Sequence, residues 1–109
     1  MSANEFDCLT NALLQAGLRN GLPVAFAIPG HVRSILEKRK IDVKDVRAVT
    51  IHQCPKPQGV IDYRLEVHVR KGLVQTETFQ GSGLRHEHDT YALYDSHRDG
   101  QMKHLHLLH

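Results

Sequence analysis

Cys8 is the residue whose surroundings best suit nucleophilic chemistry. It opens the helix-like segment Phe6-Asp7-Cys8-Leu9-Thr10-Asn11-Ala12-Leu13-Leu14. A thiol at a helix N-terminus feels the positive end of the helix dipole, which favours thiolate over thiol. Such a nucleophile needs an imidazole to take its proton and a further group to orient that imidazole. His97 or His88 can supply the imidazole and Asp95 the orienting carboxylate, because both histidines flank the run Tyr91-Ala92-Leu93-Tyr94. Cys8, His97, His88 and Asp95 form the first candidate catalytic set, and it needs no cofactor. The plainer account of Cys8 is a small apolar residue near a helix cap.

An early cysteine on a helix, with histidine and aspartate in a late sheet, resembles the order found in papain-like cysteine hydrolases. That superfamily includes peptidases, deubiquitinases and glutamine deamidases. The residues carrying the resemblance are Asp7-Cys8-Leu9-Thr10-Asn11-Ala12-Leu13 and Tyr94-Asp95-Ser96-His97. The second stretch is similar to the Asp-x-His pairing of some viral deubiquitinases. The resemblance implies a small hydrolase of protein or peptide substrates. Cys8 would attack a carbonyl, His97 or His88 would act as base, and Asp95 would orient it.

A second chemistry sits on the clearest strand. Ile61, Tyr63, Leu65, Val67 and Val69 alternate with Asp62, Arg64, Glu66, His68 and Arg70, the pattern of a strand with one buried and one wet face. Arg64, Glu66, His68 and Arg70, with His97 beside the sheet, are residue types suited to metal-free acid–base work on a phosphodiester. The basic segment containing Arg33, Lys38, Arg39, Lys40, Lys44 and Arg47 would hold phosphate. A helical part preceding an antiparallel sheet looks like the plan of small barnase-like ribonuclease toxins, which implies a metal-independent ribonuclease. The simpler account of the same residues is a solvated strand face, and of the basic segment a solvated helix.

Nine histidines are the compositional oddity. His86 and His88, and His104 and His106, are i, i+2 pairs; on strands such pairs share a face and can share a metal. Exposed histidines that bind nothing are the plainer account of them. A third function class is a non-catalytic binding or inhibitor protein of phage or mobile-element type, in contact through the basic segment and the charged strand face.

The elements that must position these residues fit one domain. The chain has 109 residues, 40% hydrophobic and 24% charged, with a formal net charge of +2; that is one core, and too little charge to argue for nucleic acid alone. Two cysteines give no disulfide framework. The absence of a signal-like start or a bilayer-length apolar run leads to the expectation of a cytoplasmic protein without membrane contact. Residues 5–18 read as an amphipathic helix with Phe6, Leu9, Leu13 and Ala16 inward, which leaves Cys8 about 110° from the centre of the stripe. Residues 23–28 read as a short buried strand or extended passage ended by Pro29-Gly30, and 31–40 as a second helix. Strands are expected from Arg47 to His52, Ile61 to Arg70, Leu73 to Phe79, Thr90 to Asp95 and Gln101 to Leu108, with a loop at 54–59. The expected fold is α+β, two N-terminal helices packed on a four- to five-stranded, mainly antiparallel sheet.

Overall fold

The structure, a computed structural model, describes residues 3–82 and 89–99. Two helices precede a four-stranded antiparallel sheet, as the pattern of the chain leads one to expect. Helix α1, Ala3–Arg19, buries Leu9, Leu13 and Ala16 along one stripe and leaves Cys8 exposed. A left-handed Gly21 (φ 65°) turns the chain back. The close packing that follows needs Gly17, because a Cβ there would lie 3.0 Å from Ala25 Cβ and 3.2 Å from Ala25 Cα.

Residues 23–28 are not a strand. A 3-10 turn, Ala25–Ala27, runs directly into α2, Ile28–Arg39. Pro29 starts this helix instead of ending the segment before it. Proline is tolerated in a first turn, where its missing N–H has no partner to lose. Ile28, Val32, Ile35 and Leu36 form the buried stripe of α2. The helix stops at Lys40, whose left-handed backbone (φ 54°) lets its N–H meet the carbonyls of Leu36 and Glu37.

The strands are β1 Val46–Pro55, β2 Val60–Val69, β3 Val74–Ser82 and β4 Asp89–Asp95. Their spatial order is β3-β2-β1-β4. Thus β1, β2 and β3 form a meander, but β4 returns to the far side of β1 and not to β3, which is the Greek-key order. Cys54 and Pro55, expected in a loop, extend β1. Pro55 is tolerated because it lies beyond the last β1 residue paired with β4, Gln53. An expected strand over 101–108 lies outside the described residues.

One face of the sheet packs on the helices. Val49 and Ile51 from β1, Ile61, Tyr63, Leu65 and Val67 from β2, and Leu93 from β4 join the helix stripes in one buried cluster. Among the described residues, both helices lie on this side. No described helix is long and apolar enough to cross a membrane.

Candidate active site on the open sheet face

The alternate residues of the strands make the other face, and the register arranges them in rows. Cys54, Asp62 and Gln80 form the first row. Thr90, His52, Arg64 and Thr78 form the second, then Ala92, Thr50, Glu66 and Thr76, and last Ala48, His68 and Val74. Rows on one face are about 7 Å apart along a strand. The chain thereby places its sheet-borne basic and acidic groups side by side in the middle of a polar surface.

Glu66 is the hub. His52 Nε2 lies 2.7 Å from Glu66 Oε1, and the Thr50 hydroxyl donates to the same oxygen at 3.3 Å. His68 Nε2 is 3.9 Å from that oxygen and 3.5 Å from Thr50 Oγ1. Arg64 Nε stands 3.7 Å from the other carboxylate oxygen. The hydrogen bond from His52 holds the Glu66 carboxyl below the ordinary glutamate value of 4.5; burial opposes it, while the charges of His52 and Arg64 add to it. Glu66 is accordingly an anion that accepts, and His52 donates to it through Nε2–H. The other ring nitrogen, Nδ1, is 2.8 Å from the hydroxyl of Thr90, an exposed residue.

Beside this network lies an open cleft of about 660 Å³, lined by His52, Arg64, Thr90, Thr78, Asp62 and Cys54 among others. Its floor at one edge is anchored by the buried Gln53, whose amide reaches Asp89 Oδ2 at 3.5 Å, with the Tyr91 hydroxyl donating to the same oxygen at 3.0 Å. These contacts fix the start of β4, and so the hydroxyl of Thr90 against His52.

The other residues singled out in the sequence are distributed as follows. Arg70 pairs with Asp45 at 3.2 Å, outside the network. Arg33 pairs with Glu37 on α2, and Lys38 with Glu77 at 3.8 Å. Arg39 and Lys40 end α2; Lys44 and Arg47 are exposed ahead of and at the start of β1. Helix α2 is in the layer behind the sheet, and none of these six basic residues lines the cleft. Among the described residues Asp95 meets no imidazole: Oδ1 accepts the backbone N–H of His97 at 2.9 Å and of Arg98 at 3.5 Å, capping the helical turn 96–99. His97 is exposed on that turn. Cys8 approaches the same corner: burial pushes the Tyr94 phenol up, with Asp99, Asp95 and Cys8 adding to the effect. Among the described residues no hydrogen bond joins Cys8 to an imidazole. His86, His88, His104 and His106 lie outside the described residues, within which no group of three or more His, Cys, Asp or Glu side chains has metal-holding geometry.

His52 is the residue that reading the sequence missed. Its strand was legible, but its partner was not, because the contact is a diagonal one fixed by the β1–β2 register. No protein-family model matches the chain, and no curated protein or solved structure matches it significantly.

Proposed function

We propose that the open sheet face cleaves RNA by acid–base chemistry without a metal. The observation that carries this reading is the Glu66–His52 hydrogen bond, which directs the remaining ring nitrogen of His52 to the cleft beside Arg64. A substrate 2′-hydroxyl takes the place of the Thr90 hydroxyl and gives its proton to His52 Nδ1, while Glu66 stabilises the imidazolium that forms. The 2′-oxygen bonds to phosphorus as the bond from phosphorus to the 5′-oxygen breaks. His68, on the same open face, serves as the acid that returns a proton to that leaving oxygen. The Arg64 guanidinium balances the charge that gathers on the phosphoryl oxygens. The products are a 2′,3′-cyclic phosphate and a 5′-hydroxyl. The test is an oligoribonucleotide against its all-2′-deoxy counterpart, both with a chelator present. The ribo strand should be cut to cyclic-phosphate ends and the deoxy strand left intact; equal cutting of both would remove the 2′-hydroxyl from the mechanism.

A second reading, a cysteine hydrolase, is favoured by one observation: α1 packs against β4, so that Cys8 neighbours Tyr94, the residue before Asp95. In that reading Cys8 is the nucleophile, His97 or His88 the base and Asp95 the orienting group, and the substrate is a protein or peptide. Iodoacetamide labelling of Cys8 near pH 6, well ahead of Cys54, would support it. Full activity in a Cys8→Ser variant would exclude it.

A further inference from the structure

The two edges of the sheet are not alike. Strand β4 is seven residues long, has an aspartate at each end, and carries a register shift opposite Val49 and Thr50. Short length, end charges and bulges are the devices that keep a sheet edge from pairing with another chain. Strand β3 has none of them. It runs nine residues, Val74–Ser82, in unbroken register with β2, and contains no lysine, arginine or proline. Its single charged side chain, Glu77, is engaged from the helix layer by His31 at 2.9 Å and Lys38 at 3.8 Å. Among the described residues nothing pairs with its outer edge. Two exposed apolar residues, Leu73 and Val74, stand where the strand begins.

We infer that β3 pairs antiparallel with β3 of a second copy of this chain, joining two sheets into one of eight strands. A second copy is the occupant because the partner must itself bring a free strand edge, and this chain carries a matching one. The register follows from the sequence. All nine residues pair only when the two-fold axis passes through Thr78, so that Thr78 meets its own counterpart, Thr76 meets Gln80, and Val74 meets Ser82. Glu77 then faces Phe79, and no like charges are opposed. A two-fold axis normal to the sheet keeps both open faces on the same side. Since Thr78 and Gln80 line the cleft, the second copy would extend the cleft wall past the edge of one chain.

Sedimentation and a designed cross-link test this together. The wild-type chain should sediment at twice its 12.4 kDa mass, and Thr76→Lys with Thr78→Lys should return it to the single mass. Ala92→Lys on the β4 edge should leave the doubled mass in place. In a Cys8→Ser, Cys54→Ser background, Thr78→Cys should form an interchain disulfide, because directly opposed strand residues are about 4.5–5.5 Å apart at Cα, within disulfide reach. Gln80→Cys in that background should not. A wild-type chain that sediments at the single mass overturns the proposal. So does a dimer that Ala92→Lys dissociates, or one whose Thr78→Cys form stays reduced under oxidation. If the lysine pair disturbs folding, the cysteine comparison still decides.

Discussion

His52 and Glu66 face each other diagonally across β1 and β2, with Nε2 and Oε1 2.7 Å apart, although the pairing partner of His52 is Arg64. A diagonal contact of this kind spends the longer reach of the imidazole on a carboxylate one row away. Here it does two things. It fixes which nitrogen of the ring is turned toward Thr90 and the cleft, and it lowers the carboxyl pKa of Glu66.

The lowered pKa carries a stability consequence with a definite sign. A carboxyl held below its unfolded value of 4.5 binds fewer protons folded than unfolded. Its contribution is therefore fully present above that value and is lost as pH falls through the folded value. Wild-type protein should lose melting temperature below about pH 4.5 more steeply than Glu66→Gln. Parallel curves for the two proteins in acid would show that the His52 contact contributes nothing to stability.

Two glycines should respond oppositely to alanine. At Gly17 the new methyl meets the Ala25 backbone at 3.2 Å, so Gly17→Ala should destabilise by about 1–3 kcal/mol. Gly30 in α2 has nothing within 4 Å of the added Cβ. Gly30→Ala should gain roughly 0.5 kcal/mol from helix propensity and a less flexible unfolded chain. Urea unfolding of both variants measures this, and a stabilised Gly17→Ala would mean that α1 and the 3-10 turn do not pack so closely.

The two thiols report separately on two surfaces. Cys8 is exposed on α1, and Cys54 is half-buried in the cleft wall. An all-2′-deoxy oligonucleotide bound in the cleft should protect Cys54 from alkylation and leave Cys8 as reactive as before. Mass spectrometry of the labelled peptides reads the outcome directly. Protection of Cys8 alone would move nucleic acid to the α1–β4 corner.

The basic segment offers a contrast between sequence proximity and spatial proximity. Because α2 lies behind the sheet, Arg33→Glu with Lys40→Glu should change RNA cleavage only through long-range charge, which is weak beyond the ~8 Å Debye length at physiological salt. Arg64→Ala, in the cleft, should lower kcat/KM by about 100-fold, as loss of a transition-state donor does. Kinetics of the two variants side by side would distinguish them, and a larger loss from the α2 pair would place the phosphate elsewhere.

How far the residues foretell this arrangement depends on whether the information is local. The α1 stripe and the alternation of β2 are periodic signals within one element, and the structure agrees with both. The segment 23–28 misleads because apolar residues before Pro29-Gly30 fit an ended strand as well as a helix start, and only packing of Ala25 against Gly17 decides between them. The position of β4 beside β1, and with it the approach of Thr90 to His52, is set by pairing between distant segments. Periodicity carries no record of that. Arg64, Glu66 and His68 were legible as one wet face; His52, which links Glu66 to the cleft, needed the register.

In the proposed reaction His52, held by Glu66, takes the 2′-hydroxyl proton. Comparing kcat/KM for a defined oligoribonucleotide, with chelator present, in wild type, His52→Ala and Glu66→Gln probes that proton transfer at its acceptor. His52→Ala should lose about 10²–10⁴-fold, the span of a general base. Glu66→Gln should lose less than His52→Ala, because the ring stays in place on β1 while the imidazolium that forms lacks its stabilising carboxylate. A His52→Ala protein that cuts RNA at the wild-type rate would show that another group takes the proton.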